Sequence, residues 1–357
     1  MSVRTVYIVI SCDADPDREG FLDGVPHDTL AWRGLTEGIP AVKNLLHGLT
    51  DSAGREPTFT WLLRADEQVR ALEGEYAWVV RTHTSLLHAL QQSGDELGWH
   101  PHFWRRETPQ GPWFQELEDV DWQVEMLHQA HRDLATCFPG APKSVRMGWA
   151  YHNNRTYAAL EALGVTVDLS ALPGYRTLTR QAPTRSENLF DWYATPRVPF
   201  RPSRADYRRP VRGGETSCRL LEVPSFVSGS IFWGLVSGLQ LARKTGTVGQ
   251  LWNAIRRPTY CINVTARPVF FAPLVAQLRT ALRRPGGGPL VFATQFHADE
   301  LLPNRSHLYD LRGVRTNIEA LVRACAAART PVRFVPACHI SALESDGLVA
   351  TGSRPGT

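Results

Sequence analysis

Eight short apolar runs, rich in β-branched residues, recur along this chain of 357 residues, with helical periodicity in many of the gaps between them. The runs are Val3–Ile10, Pro57–Leu63, Glu96–His100, Ser144–Gly148, Val165–Leu169, Leu220–Pro224, Leu290–His297 and Val332–Val335. Several are apolar at nearly every position, as parallel strands covered on both faces must be. Between them, Ile39, Val42, Leu45, Leu46 and Leu49 form one stripe of a helix over 38–49, and Thr82–Leu90 and Asp121–Cys137 read the same way. Asn153 or Asn154 caps a helix running to Leu163, and Gly164 ends it before the next strand. The alternation predicts an α/β fold around a parallel sheet, either doubly wound or closed as a barrel. A barrel gathers its chemistry at the C-terminal ends of its strands.

Two of the expected strand ends carry acids and imidazoles. Cys12-Asp13-Ala14-Asp15-Pro16-Asp17 follows the first run, and Trp99-His100-Pro101-His102-Phe103-Trp104 closes the third. Residues i and i+2 of a strand share a face. Asp13 and Asp15 therefore point one way, as do His100 and His102, and the four side chains together suit one divalent cation. Strand-end aspartates also cap turns, a role that Asp17 after Pro16 fits best. Arg146 sits inside an apolar strand and requires a carboxylate partner there. Asp168 and His297 close two further strands, with Asp299 and Glu300 reading as first-turn helix acids after His297.

Composition narrows the class. Apolar residues make up 43% and charged residues 21%, as in a soluble globular protein, and a net charge of +4 without a basic run gives no reason to expect nucleic acid. Six scattered cysteines without a CxxC pair read as reduced thiols. The N-terminus lacks a basic segment followed by an apolar one, and Ser230–Leu239 is half the length of a membrane span, so a cytoplasmic protein with no membrane span is expected. Residues 1–345 are expected to form one barrel domain. Its long insertions fall at about 170–219 and 226–288, Pro285–Pro289 forms a turn, and 346–357 is a tail.

In order along the chain, Ile10-Ser-Cys-Asp-Ala-Asp15, Pro57–Arg64, Asp95–Trp104, Val145–Trp149 with Leu160–Ser170, and Phe296–Leu301 resemble the motifs of the polysaccharide deacetylase superfamily, the NodB-homology or carbohydrate esterase family 4-like proteins. In that family the acids are adjacent and the histidines four apart; here Ala14 separates the acids, and the histidines are two apart with Trp104 at the fourth position. The resemblance implies a distorted (β/α)7-8 barrel and a metal-dependent hydrolase that removes an N-acyl group, N-acetyl foremost, from an amino-sugar-containing small molecule or glycan precursor. It implies Asp15, His100 and His102 as ligands of a divalent metal, zinc first, with cobalt, iron or nickel as alternatives. Asp13 would be the base and His297 the acid, with Arg146 orienting the base and Asp168 orienting and charging His297. A deformylase or a hydrolase of a non-sugar amide is the alternative within the class, and a non-catalytic carbohydrate-binding barrel the alternative outside it. The oligomeric state is left open.

Overall fold

Eight parallel strands build one curled sheet: β1 (Val6–Ala14), β2 (Phe59–Arg64), β3 (Glu96–His100), β4 (Ser144–Val145), β5 (Val167–Asp168), β6 (Leu221–Glu222), β7 (Leu290–His297) and β8 (Val332–Phe334). The computed structural model describes residues 4–18, 28–137, 141–177, 190–245, 249–284, 289–303 and 307–343. The 285–288 part of the expected turn and the expected 346–357 tail lie outside them. The strand order is β6-β5-β4-β3-β2-β1-β7, with β8 against the start of β1. The two ends of this path do not pair as strands, but the Phe226 N–H donates to Ala293 O at 2.8 Å across the gap. The architecture is the distorted (β/α) barrel that the resemblance implies, one of the two forms that the alternation of elements left open.

Tertiary pairing moves some strand limits. β1 continues to Ala14 because β7 pairs with it as far as Asp13 and β2 as far as Ala14, so the ladder runs through Ser11, Cys12 and Asp13. Asp13 is thus a strand residue, directly opposite His297. β4 is shorter than expected and leaves Arg146 just beyond its end.

The pleat then divides the side chains. Val9, Leu62, Val167, Leu169, Leu221, Val223 and Ala293 pack together inside the barrel. Ile8, Ile10, Phe59, Trp61, Leu63, Trp99 and Val145 belong to the larger core between the sheet and its helices. Side chains alternate along a strand. Ser11 and Asp13 therefore continue the inward face of Val9, Arg64 that of Leu62, and His297 that of Ala293. Asp168 and Glu222 each lie between two inward residues and face the helix layer.

The helices close the outside. Asn153 accepts from Arg155 N and Thr156 N to cap the Asn154–Ala162 helix, while Thr156 returns a bond to the Asn153 N–H, and Gly164 follows with φ +82°. The helices expected near 38–49, 82–90 and 121–137 are present as Ile39–Leu46, Thr84–Gln92 and Val120–Ala135. Between 170 and 219, Arg176–Thr177 pairs with Phe190–Asp191, and Pro202–Ser203 with Asp206–Pro210. Between 226 and 288 run the helices Ile231–Thr245, Gly249–Arg256 and Pro268–Leu282. All six cysteines are free, and among the described residues no helix is long and apolar enough to cross a membrane.

At the opposite end of the sheet from the acid and imidazole motifs, Asp95 ties β2 to β3. It accepts from Phe59 N at 3.0 Å, Trp61 Nε1 at 2.9 Å and Lys43 Nζ at 3.0 Å. Replacing it by alanine strands a buried backbone N–H, an indole N–H and a half-buried ammonium. Asp95→Ala should therefore lower unfolding stability by about 3–5 kcal/mol, measured as the loss in urea midpoint times slope. A loss under about 1 kcal/mol would show that the three donors find water instead.

Candidate metal and acid–base site

The pleat and the register gather side chains from five strand ends at one mouth. His100 and His102 face each other with Nε2 atoms 3.1 Å apart. His100 Nε2 lies 3.4 Å from Asp15 Oδ2, and His102 Nε2 lies 3.7 Å from Asp15 Oδ1. Three donors held about 2.0–2.1 Å from one tetrahedral ion sit about 3.3 Å apart, so this set fits a divalent cation. Donor chemistry agrees. The His100 Nδ1–H donates to Arg146 O at 2.7 Å, which leaves Nε2 with its lone pair toward Asp15 and His102. Burial, helped by nearby Arg64, pushes the His102 imidazole well below its usual range, so it is neutral. Burial opposes charge on His100 and on Asp15, but their mutual attraction prevails, raising His100 and holding Asp15 well below the carboxylate range.

His102 owes its placement to its neighbours. Its N–H donates to Asp66 Oδ2 at 2.9 Å, and its ring stacks on Trp104 at 5.9 Å with 10° between planes. The ring also lies against Gly148, where a Cβ would come within 2.1 Å of the imidazole. The next two residues, Trp149 and Ala150, take left-handed φ angles of 57° and 56°, and the half-buried Trp149 ring meets Trp104 edge-on at 5.6 Å. Left-handed backbone at two consecutive non-glycine residues is costly, and such strain gathers at functional sites.

Asp13 stands beside the triad. Arg146 Nη1 donates to its Oδ1 at 2.6 Å, while Nη2 donates to Ser11 Oγ at 2.7 Å and Nε to Leu169 O at 3.0 Å. Burial opposes ionisation of Asp13, and Arg146, with His100 and His297, outweighs it and keeps the carboxyl below its usual range. His297 Nε2 faces both acids, 3.8 Å from Asp13 Oδ2 and 3.9 Å from Asp15 Oδ2. Its ring is a quarter exposed, so it lies on the open side of the mouth.

One expected partnership is absent. Asp168 does not reach His297; it pairs with His152 Nε2 at 2.8 Å and accepts from Ser170 N at 3.0 Å. Strand parity explains this: Val167 and Leu169 point inward, so Asp168 points outward. There it joins a buried cluster in which the Tyr157 hydroxyl donates to Glu222. Burial and the Asp168 charge push the Glu222 carboxyl well above its usual range. Asp168 still bears on the site indirectly, because Ser170 Oγ donates to its Oδ1 and accepts from Met147 N at 2.8 Å, beside Arg146 and Gly148.

The carboxylate that does face His297 is Glu300, three residues on, with Oε1 3.3 Å from Nδ1. Glu300 is almost fully buried and also accepts from Thr265 Oγ1 at 2.5 Å, Asn263 Nδ2 at 2.7 Å and Arg18 Nη2 at 3.3 Å. Burial works against its charge, but His297, Arg18 and Thr265 together hold it below the usual range. Arg64 is the other residue without an assigned role in the sequence reading. It donates to Asp15 Oδ1 at 2.9 Å and to Gln68 Oε1 at 2.9 Å, and it pairs with Asp66. A buried arginine at the end of β2 was the available signal.

No family sequence model matches this chain, and no curated protein is similar enough in sequence to match it. Solved structures do match. A protein assigned as a glycoside hydrolase/deacetylase from Parabacteroides distasonis superposes with a TM-score of 0.56 at 13% identity, covering 96% of this chain and 70% of that one. Puue allantoinase superposes at 0.51 with 12% identity, over 99% and 93%. A protein assigned as a polysaccharide deacetylase from Mycobacterium smegmatis gives 0.46 at 14% identity, over 100% and 96%. In its fold, the chain is similar to the glycoside hydrolase/deacetylase and to the allantoinase.

Proposed function

We propose that this protein is a metal-dependent amide hydrolase that removes an N-acyl group, acetyl foremost, from an amino-sugar-containing small molecule or glycan precursor. One observation carries the reading: Asp15, His100 and His102 converge at a spacing suited to one cation, with an ionised Asp13 on one flank and His297 on the other. A divalent cation held there, zinc by its fit to one carboxylate and two imidazoles, supplies Lewis acidity that acidifies water and polarises an acyl carbonyl. Asp13, kept charged by Arg146, accepts the proton of the attacking water. His297 delivers a proton to the departing nitrogen as the C–N bond breaks, giving a carboxylic acid and an amine. Glu300 sets the orientation of that imidazole, with Oε1 3.3 Å from Nδ1. Asp168, which the resemblance places beside His297, pairs with His152 instead and stands outside this set of contacts.

The fold likeness to a glycoside hydrolase/deacetylase supports a sugar substrate, as does the half-buried Trp149 face beside His102. The likeness to an allantoinase supports a second reading, a non-sugar amide at the same site. Acetate or formate release from N-acyl amino sugars and from linear amides, set against ring opening of simple cyclic amides, after loading with zinc, cobalt, iron or nickel, separates the two. A metal-loaded protein inert toward every such amide would leave the carbohydrate-binding alternative standing.

Three substitutions test the assignments. His100→Ala should cut zinc affinity by more than the ~10–100-fold that outer-sphere changes cost, read by elemental analysis after dialysis against a chelator. Unchanged occupancy would remove His100 from the ligand set. Asp13→Asn should keep its metal and lose at least ~10²-fold in kcat; wild-type turnover refutes it as the base. Glu300→Ala should lower kcat by about 10–10²-fold with metal content unchanged, whereas a fall in metal content alone would place Glu300 in the cation's support and not in proton delivery.

A further inference from the structure

The excursion between β6 and β7 has a composition unlike the rest of the chain. From Val223 to Ala298 there is no Asp or Glu, while Arg243, Lys244, Arg256, Arg257, Arg267, Arg279, Arg283 and Arg284 fall within it. Of the 39 Lys and Arg residues, eight are here, leaving 31 elsewhere against all 35 acids, so the remainder of the chain is net negative. The same excursion holds most of the exposed large apolar side chains. Ile231, Phe232, Leu239, Trp252, Ile255 and Val269 are six of the eight such residues among those described, and Phe232 and Trp252 are 67% and 61% exposed.

These side chains lie on the outside of a rooted structure. The Ile231–Thr245 and Gly249–Arg256 helices pack against each other, and Trp233 anchors the first through its ring contacts with Tyr260 at 5.1 Å and Phe270 at 6.2 Å. That inward contact leaves Ile231, Phe232 and Leu239 on the outer side. Trp252 and Ile255, three apart, share a face of the second helix, with the exposed Arg256 next to them. Val269 borders a groove of about 580 Å³ that Trp233 and Ser230 also line. Arg243, Arg256 and Arg267 are exposed and form no ion pair with an acid among the described residues.

We propose that this helical pair is a docking surface for an anionic lipid bilayer, on which the protein rests without spanning it. Exposed aromatic and aliphatic side chains, with exposed arginines on the same helices and no acid anywhere in the excursion, make the composition of an interfacial amphipathic segment. A second copy fits less well, since a two-fold contact would set basic surface against basic surface. The same excursion reaches the mouth of the barrel after the helical pair, where Asn263 and Thr265 donate to Glu300. Docking is independent of the proposed hydrolase chemistry and is tested without it.

The test is flotation of the full chain with vesicles of phosphatidylcholine alone or mixed equally with phosphatidylglycerol. The wild type should float with the anionic vesicles at low salt and be released near ~0.5 M salt, where screening shortens charge attraction to a few ångströms. Phe232→Ser with Trp252→Ser should lower the partition coefficient at least ~10-fold, and Arg243→Ser with Arg256→Ser should abolish the preference for anionic lipid. In the wild type, brominated acyl chains should quench tryptophan fluorescence, and Trp252→Phe should lose that quenching while still floating. Absence of flotation with anionic vesicles, or flotation unchanged by the serine pair, overturns the proposal. So does a dimer in light scattering that the serine pair converts to a monomer, which would show a second copy on this face.

Discussion

Arg146 is the group on which both halves of the site depend. Its guanidinium is buried, and such a charge is untenable without an ionised partner and full use of its donors. It finds Asp13, the Ser11 hydroxyl and the Leu169 carbonyl, which tie the end of β4 to β1 and to the end of β5. Its backbone serves the other half, because the carbonyl of the same residue takes the His100 Nδ1–H and so turns Nε2 toward Asp15. One residue therefore keeps the candidate base charged and fixes the tautomer of a candidate ligand. The segment carrying it is held in turn from behind: Asp168 accepts from Ser170, and Ser170 accepts from Met147.

The charges of the mouth do not cancel at the place where a cation fits. Asp15 gives one oxygen to Arg64 and turns the other toward His100. Asp13 is matched by Arg146, and Glu300 by Arg18. What is left is the demand of Asp15 and Asp13 for positive charge at His100, which raises that imidazole against the cost of its burial. A divalent ion between Asp15, His100 and His102 answers the same demand and needs His102 neutral, as its surroundings make it.

Much of this was legible in the sequence because strand ends advertise themselves. Asp13, Asp15, His100, His102 and Arg146 are polar residues at the close of apolar runs, and Asn153 and Gly164 marked a helix accurately. Asp168 misled because both faces of a buried parallel strand are apolar, so Val167-Asp168-Leu169 does not reveal which side is inward. Only the packing of Val167 and Leu169 with Val9 and Leu62 shows that Asp168 faces the helices. Glu300 was hidden differently. It reads as an ordinary first-turn acid after His297, but the short turn 298–301 brings it beneath the ring it follows. Its other partners, Arg18, Asn263 and Thr265, come from segments far away in the chain.

The two departures from the family's motif spacing have a common physical basis. β1 remains a strand through Ala14 because it is paired on both edges, and β3 reaches His100 before Pro101 ends the ladder. Where the backbone is extended at the level of the site, the period that repeats a direction is two residues. Donors spaced by one intervening residue then project to the same mouth, which the acid pair and the histidine pair both do. Histidines four apart instead suit a backbone that has begun to turn helically. Trp104, at that fourth position, is spared ligand duty and stacks on His102, while Gly148 supplies the space the ring occupies. In each pair the first donor lies on its strand and the second just beyond it, Asp15 after β1 and His102 after β3.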